Sequence, residues 1–216
     1  MSAKRGGVLF SFEGGEASGK SLQAERLRAT LRERGVDVVG VREPGGTPAG
    51  ERMREIFLHA QDVAMTPEAL ALLVTASRAQ LVREVIRPAL ERGAVVIADR
   101  YFDSTLAYQG YAGGADLEGI RALQRFAVGA TVPDRTFLLD VPVDVIEARS
   151  RSREAGRRWD RFEAQGRTFH EHLRDGYLRL AAEEPQRIRV VRGDRDPGAV
   201  AADILREVDE LLLAPA

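Results

Sequence analysis

The chain has 216 residues, with 32 basic and 33 acidic side chains mixed along it and a formal net charge of −1. This length suits one α/β domain with a large core, and the balanced charge does not indicate a nucleic-acid surface. The sequence contains no cysteine, which excludes disulfides and thiol chemistry, and no apolar run approaches the roughly 18 residues of a membrane span. We therefore expect a single cytoplasmic domain over residues 1–216, without a signal peptide and with neither nucleic acid nor membrane as a partner.

The first half of the chain alternates between apolar runs and amphipathic stretches. GVLFSF at 7–12 predicts a buried strand before a glycine loop, and 22–35 predicts a helix that ends at its last residue, a glycine. VDVVGV at 36–41 predicts a second strand, followed by a loop over PGGTPAG at 44–50. Thr66 and Pro67 then begin a long helix that runs toward Gly93, with Pro88 kinking it or ending it early.

The second half continues this alternation. Strands are predicted at 94–99, 136–141 and 187–191, with helical stretches near 103–110 and 116–128. The last helix carries apolar residues on one face, namely Val200, Ile204, Val208 and Leu211. Strands that alternate with helices predict a parallel sheet covered on both faces, whose ligands bind beyond the carboxyl ends of the strands.

The glycine loop after the first strand is the most informative stretch. GGEASGKS fits G-x-x-x-x-G-K-[ST] between a predicted strand and a predicted helix, the context in which this pattern binds nucleotide phosphates. Its backbone N–H groups and the helix N-terminus attract anions. We predict that ATP binds to Gly14, Gly15, Glu16, Ala17, Ser18, Gly19, Lys20 and Ser21.

Lysine is rare in this chain, which has 30 arginines and only two lysines, Lys4 and Lys20. A lysine is a compact point charge that reaches the β- and γ-phosphates, whereas a planar, branched guanidinium would crowd the loop. This explains why position 20 is not an arginine. The hydroxyl of Ser21 is a predicted Mg²⁺ ligand.

Two charged residues end the third predicted strand. Asp99 has the position of an acid that holds Mg²⁺ directly or through water, and Arg100 would clamp a second phosphate. A structural ion pair at the strand end is the alternative interpretation. A guanine-specific GTPase is excluded, because its Asn/Thr-Lys-x-Asp element cannot be written without asparagine and with no third lysine.

At this point the chain resembles the thymidylate kinases, which phosphorylate dTMP to dTDP with ATP. The resemblance covers nearly the whole sequence and rests on FEGGEASGKS, REPGGT, LLVTASRAQ, DRYFDSTLAYQG, LLDVPVDVIEARSRSR and DRFE. It implies a three-layer α/β/α P-loop kinase fold with a five-stranded parallel sheet and an arginine-rich lid at about 149–163. It also implies Mg²⁺ as the metal, ATP and dTMP as ligands, and a homodimer.

The resemblance further implies roles for single residues. Arg100 binds the dTMP phosphate, Arg78 and Thr105 recognise the base, and Tyr108 packs against the deoxyribose and disfavours a 2′-hydroxyl. Glu13 lies near the metal and the monophosphate sugar, so it is expected as a catalytic, substrate-binding and metal residue. The expected acceptor site is Glu13, Arg42, Pro44, Val74, Arg78, Arg100, Ser104, Thr105, Tyr108 and Gln109. Gly45 is expected to line it beside Pro44, with Glu43 beside Arg42 at its phosphate side.

The lid supplies the remaining predicted cations. Members of the family with a P-loop acid such as Glu16 take their catalytic arginine from the lid, which here is Arg153 by first choice. Arg149 is expected to stack on adenine. The spacing leaves other arginines open for the catalytic role, namely Arg151, Arg157 and Arg158.

Several positions depart from the family pattern. Val74 stands where a phenylalanine usually stacks on thymine, Ser77 where an aspartate is common, and Ala17 where the loop usually has a glycine. Two alternatives to a dTMP kinase remain from the residues themselves: a kinase for another small acceptor, and a non-enzymatic ATP-binding regulator. The presence of all four of Lys20, Ser21, Asp99 and Arg100 favours an enzyme.

Overall fold

A computed structural model describes residues 6–60, 62–151 and 160–213. Within these residues five strands form one sheet in the order β2-β3-β1-β4-β5, and every pairing is parallel. The strands are β1 (Val8–Glu13), β2 (Val38–Arg42), β3 (Val95–Asp99), β4 (Arg135–Asp140) and β5 (Ile188–Arg192). Each begins and ends within two residues of its predicted position, so the parallel sheet is confirmed.

Helices cover both faces of this sheet, which confirms the three-layer arrangement. The helices are α1 (Lys20–Glu33), α2 (Pro48–His59), α3 (Pro67–Leu81), α4 (Arg87–Glu91), α5 (Phe102–Thr105), α6 (Leu117–Val128), α7 (Val143–Arg151), α8 (Arg167–Glu183) and α9 (Pro197–Leu213). On one face, Leu31 of α1 and Ile204 of α9 join Phe10 of β1 in a buried cluster. On the other face, Leu81 of α3 packs with Leu9 of β1. None of the described helices has both the length and the apolar character that crossing a membrane requires.

The segment 44–50 was predicted as a loop, and this prediction was wrong over its second half. Helix α2 begins at Pro48, in the first helical turn, where the fixed φ of proline suits a helix and its missing N–H is not needed. The hydroxyl of Thr47 accepts a hydrogen bond from the backbone N–H of Gly50 at 3.0 Å and so caps the helix.

The long helix predicted from Thr66 toward Gly93 is present, but it is not α-helical throughout. A π-helical segment, Val82–Ile86, lies between α3 and α4, and Pro88 falls in the first turn of α4. The N–H of Arg87 donates to the carbonyl of Val82, five residues earlier. Because the wider turn changes the hydrogen-bond pattern just before the proline, Pro88 follows this segment without ending the helical run.

The helix predicted near 103–110 is also divided. Its first turn is α5, and a second π-helical segment, Leu106–Ala112, follows. The predicted 116–128 helix is α6, whose N-cap Asp116 accepts hydrogen bonds from the N–H groups of Glu118 and Gly119. The divided helix follows β3 directly, and residues from it, among them Ser104 and Tyr108, line the cavity at the carboxyl end of the sheet.

Candidate active site

The carboxyl ends of three neighbouring strands form the floor of the main cavity. In the sheet register Phe12 of β1 and Arg42 of β2 both pair with Asp99 of β3. The segments that follow these strands surround a cavity of about 220 Å³. The predicted site residues that line it are Glu16, Lys20, Ser21, Arg42, Pro44, Val74, Arg78, Asp99, Arg100, Ser104, Thr105, Tyr108 and Gln109.

The loop between β1 and α1 leaves the helix N-terminus open to a ligand. Gly19, the residue before α1, has φ +98°, and no side chain caps the helix. Ala17, which replaces the usual glycine, also adopts a left-handed conformation with φ +51°. The first N–H groups of α1 therefore have no capping acceptor, which is the arrangement that binds phosphate at helix N-termini.

Lys20 is the first residue of α1 and lies at the base of this loop. Its side chain is 7% exposed, and Nζ donates to the carbonyl of Gly15 at 3.1 Å. Burial, together with the positive charge of Arg100, lowers the pKa of Lys20. The ammonium group is thus held in the loop with few competing partners.

Asp99 and Ser21 both carry side-chain oxygen atoms and line the same cavity. Oδ1 of Asp99 is buried and has no hydrogen-bond partner among the described residues. A carboxylate oxygen without a partner beside a hydroxyl fits a divalent cation, which prefers such oxygens. Both residues also line a second cavity of about 440 Å³ beside α1 and β2.

The backbone after β3 turns Arg100 back toward the glycine loop. Arg100 has φ +70°, an uncommon left-handed conformation for a non-glycine residue, and its N–H donates to the carbonyl of Phe12 at 3.0 Å. Its Nη1 donates to the carbonyl of Gly14 at 3.0 Å. Conformational strain of this kind is concentrated at functional sites.

The other terminal nitrogen of Arg100 is paired with an acid of the glycine loop. Nη2 donates to Oε1 of Glu16 at 2.6 Å and to the hydroxyl of Tyr108 at 2.8 Å. Burial alone would raise the pKa of Glu16, but the charges of Arg100 and Lys20 outweigh it and lower that pKa to about 2. Glu16 is therefore an ionised carboxylate between the two cations.

Glu13 lies beneath the cavity, fully buried at 0% exposure. Oε1 accepts a hydrogen bond from the N–H of Tyr101 at 2.7 Å, and Oε2 accepts from the hydroxyls of Ser104 at 2.5 Å and Tyr177 at 3.1 Å. Burial, with the charge of Asp103, raises the pKa of Glu13 to about 7. A direct contact with a metal or an acceptor would have to replace these bonds, so those roles of Glu13 stay predictions.

Arg78 lies in another part of the cavity and is only 1% exposed. Its Nε donates to Glu43 at 2.6 Å, and Nη2 donates to the hydroxyl of Thr105 at 3.1 Å. Nη1 is buried without a partner among the described residues. Leaving a buried donor unpaired is unfavourable, so Nη1 is available for a ligand acceptor. Val74, one helical turn earlier, lines the same cavity.

The predicted lid is described only in part. At the end of α7, Arg149 donates to the carbonyls of Ala17 at 3.2 Å and Gly193 at 3.0 Å, which ties this helix to the glycine loop and to the segment after β5. Arg151 is the exposed last residue of α7. The first-choice lid arginine and two of its alternatives lie outside the described residues: Arg153, Arg157 and Arg158.

Sequence reasoning assigned no site role to seven residues here, among them Tyr101 and Asp160, which line the cavity. Arg54, Phe57 and Leu58 of α2 line the cavity, and their helix had not been predicted. Phe162, near the end of the predicted lid, also lines it, with its ring 5.2 Å from that of Phe57. The seventh residue is Tyr177, which bonds to Glu13 from below. The apolar spacing in REIFL gave a usable signal for α2 but none for these contacts.

Fold and site together define a class of protein. A parallel α/β sheet carries an uncapped helix N-terminus and a buried lysine after its first strand. Arginines from two other segments line the same cavity. This is the arrangement of P-loop phosphotransferases, which place a nucleotide phosphate on the loop and an acceptor opposite it.

Comparison with known proteins identifies the family. The family model described as thymidylate kinase matches residues 12–204. A thymidylate kinase of Ectopseudomonas mendocina is 46% identical over 206 residues, which are 95% of each chain, and one of Syntrophotalea carbinolica is 49% identical over 86% of its length and 85% of this chain. The crystal structure of thymidylate kinase from Ehrlichia chaffeensis superposes with a TM-score of 0.75 at 31% identity, covering 94% of this chain and 99% of that one. The chain belongs to the thymidylate kinase family, phosphotransferases that convert dTMP to dTDP with ATP.

Proposed function

We propose that the main cavity transfers the γ-phosphoryl group of ATP to the phosphate of dTMP, with Mg²⁺ as the metal. One observation carries this proposal: Lys20, Arg100 and Arg78 line a single cavity, and Nη1 of Arg78 has no hydrogen-bond partner among the described residues. Lys20 and Arg100 can bind phosphate oxygens, and Arg78 can donate a hydrogen bond to a neutral acceptor such as a base carbonyl.

The donor side is formed by the glycine loop and α1. The free N–H groups of α1 and the ammonium of Lys20 bind the β- and γ-phosphates, where Lys20 neutralises charge that develops during transfer. Ser21 and Oδ1 of Asp99, which has no hydrogen-bond partner among the described residues, would hold Mg²⁺. The bound metal would neutralise phosphate charge. Arg149 lies between the loop and the segment after β5, a position suited to contact with adenine.

The acceptor phosphate binds to Arg100. In the structure Nη2 of this arginine is bonded to the carboxylate of Glu16, so the incoming phosphate must displace that carboxylate from Nη2. An oxygen of the acceptor phosphate attacks the γ-phosphorus of ATP. The bond between that phosphorus and the oxygen bridging the β- and γ-phosphates breaks, and ADP leaves. Arg42 and Arg54 line the same cavity and add positive charge near the acceptor.

The base and sugar bind in the remaining part of the cavity. Nη1 of Arg78 donates to a thymine carbonyl, and the hydroxyl of Thr105, already bonded to Arg78, lies beside it. Tyr108 forms the wall next to Arg100, where a ribose 2′-hydroxyl would meet its ring. Further lining residues with proposed contacts to the acceptor are Pro44, Val74, Ser104 and Gln109.

We also propose that the chain forms a homodimer in the cytoplasm. Helices α2, α3 and α6 are neighbours in the fold. Each presents an exposed apolar side chain, namely Ile56, Leu72 and Phe126, and Phe126 is 89% exposed. Large exposed apolar side chains on adjacent helices favour burial against a second copy.

An ADP-release assay across nucleoside monophosphates tests the proposed reaction. With ATP and Mg²⁺ we expect dTMP to be the preferred acceptor and TMP, which has a 2′-hydroxyl, to give a lower kcat/KM. Removal of the metal with a chelator should abolish turnover. Absence of turnover with dTMP while another acceptor is phosphorylated would make the chain a kinase for that acceptor, and no turnover with any acceptor would support a binding role.

A further inference from the structure

Tyr177 of α8 reaches the phosphate site from below. The residue is 3% exposed, so its hydroxyl depends on protein partners. That hydroxyl lies 2.9 Å from Oγ of Ser104, 3.1 Å from Oε2 of Glu13 and 3.2 Å from Nη1 of Arg100. It therefore joins an element that follows the lid to the residue proposed to hold the acceptor phosphate.

The direction of each hydrogen bond follows from the groups involved. A guanidinium has no acceptor, so Arg100 must donate to the oxygen of Tyr177. The single proton of Tyr177 is then available for Glu13 or Ser104. Ser104 donates its own proton to Glu13 and accepts from Nη1 of Arg100 at 3.2 Å, so the three polar side chains form one connected network under Arg100. Buried networks in which each group has a partner hold their members in one geometry.

Two tyrosines contact the two terminal nitrogens of Arg100. Tyr108 accepts from Nη2 at 2.8 Å, whereas Tyr177 accepts from Nη1 at 3.2 Å. The two rings pack edge to face, with centroids 6.3 Å apart and an interplanar angle of 84°. The guanidinium plane is thus fixed at both nitrogens by side chains from two different elements.

We propose that Tyr177 is a positioning residue, which orients the guanidinium of Arg100 toward the acceptor phosphate without touching the substrate itself. The inference rests on the proposed function, because it requires that Arg100 bind that phosphate. A planar guanidinium binds phosphate through two parallel hydrogen bonds, so its orientation determines how well it binds. Nη1 also donates to the carbonyl of Gly14 at 3.0 Å and to Oγ of Ser104 at 3.2 Å. Loss of the Tyr177 hydroxyl therefore leaves the charge of Arg100 in place and removes one of the three acceptors that orient this nitrogen.

The test is Tyr177→Phe, which keeps the ring and removes only the hydroxyl. Hydrogen bonds to charged groups are stronger than those between neutral groups. We therefore expect loss of the bond to Arg100 to lower kcat/KM for dTMP about tenfold. KM for ATP should change less than twofold, because the donor loop has no contact with this hydroxyl among the residues described here. Equal losses for both substrates would show a merely structural role and overturn the proposal.

A matched control variant, Tyr111→Phe, and a double variant with Arg100→Lys test the proposal further. Tyr111→Phe removes a tyrosine hydroxyl that also bonds to α8, at Glu183, and it should leave both KM values unchanged. In an Arg100→Lys background, where no planar group remains to be oriented, Tyr177→Phe should have less than a twofold further effect. Independent, multiplicative losses in that double variant would overturn the proposal.

The wild-type chain separates the two hypotheses. Turnover of dTMP by wild type with an unaffected Tyr177→Phe variant overturns the positioning role alone. A wild-type chain that does not phosphorylate dTMP overturns the proposed function, and the positioning role with it. Thermal unfolding of each variant is measured in parallel, so that a folding defect is distinguished from a change in acceptor binding.

Discussion

Lys20 is a lysine in a chain of arginines because the glycine loop has room for a compact cation. Its ammonium is buried against the carbonyl of Gly15. We predict that Lys20→Ala lowers kcat by on the order of 100-fold or more, because a charge on the transferred phosphoryl group is lost in a desolvated site. Lys20→Arg should also have low activity, since a branched guanidinium cannot occupy the same space. Steady-state kinetics with dTMP and ATP measure both effects.

The control for this prediction is Arg26→Lys, on the exposed side of the same helix. It exchanges the same two residue types without touching the loop and should retain wild-type kcat. Wild-type activity in Lys20→Arg would contradict the steric explanation for the lysine.

Val74 gives the base cavity an aliphatic wall. An aromatic ring under a nucleobase contributes roughly 1–3 kcal/mol where bases are bound by stacking. We predict that Val74→Phe tightens dTMP binding about tenfold, because the side chain lines the cavity and the ring would extend into it. Calorimetric titration of dTMP into both proteins measures this. Weaker binding with a lower Tm would mean that the added ring overpacks the site.

How much of the site could be predicted depended on whether its residues are close in sequence. Gly14 to Ser21 form one contiguous motif, and Asp99 and Arg100 lie at the end of a recognisable strand. The sequence therefore predicted a site formed by these residues. Phe162, in the recognised segment DRFE, lines this cavity, and Tyr177 bonds to Arg100 from beneath it. No local pattern marks Tyr177. Nη1 of Arg78 has no hydrogen-bond partner among the described residues. This depends on three-dimensional packing, so no sequence pattern could predict it.

At the scale of elements, buried strands were easier to predict than helical runs. The strands are continuous apolar segments ending in glycine or charge, and all five lie near their predicted positions. Helix α2 was missed although Thr47 and Pro48 repeat the Thr-Pro start recognised at Thr66, because the two preceding glycines indicated a loop. The π-helical segments were not predicted, since an extra residue in one turn does not change the apolar period enough to be seen.

Helix α8 packs closely on the segment Leu106–Ala112 through a glycine. A Cβ atom at Gly176 would lie 2.5 Å from Cβ of Tyr111, which is too close for any real contact. We predict that Gly176→Ala lowers Tm, because overpacking costs roughly 1–3 kcal/mol and exceeds the gain in helix propensity. Thermal unfolding followed by circular dichroism measures the change.

Gly166→Ala, at the N-terminus of the same helix, is the matched control. A Cβ there has nothing within 4 Å, so Tm should change little. A Gly176→Ala variant as stable as this control would show that α8 can move away from Tyr111 without cost.

The lid prediction concerns a residue outside the described part of the chain. We predict that Arg153→Ala lowers kcat while the Kd for dTMP changes little, because a cation that acts on the transferred group stabilises the transition state more than the bound substrate. Pre-steady-state turnover and calorimetry measure the two quantities. If kcat survives and dTMP binding weakens instead, then Arg151 or Arg157 should be tested as the catalytic arginine.

At the scale of the whole molecule, the exposed ring of Phe126 tests the proposed homodimer. A charge at this position would be buried without a partner in an interface, which is strongly unfavourable. We predict that Phe126→Asp converts a dimer into a monomer in sedimentation velocity, with little change in secondary structure. A wild-type chain that sediments as a monomer, or a variant that remains dimeric, would contradict the assignment of this surface.

The scarcity of lysine makes the glycine loop accessible to selective covalent labelling. Primary amines are limited to Lys20, Lys4 and the chain terminus. Because burial lowers the pKa of Lys20, more of its amine is unprotonated and nucleophilic near neutral pH than for an ordinary lysine. An aryl aldehyde attached to an adenosine analogue should therefore form an imine at this one side chain, and bound ATP should prevent it. Intact mass would then report how much of the loop is occupied, a reading that arginine-directed reagents would spread over 30 side chains.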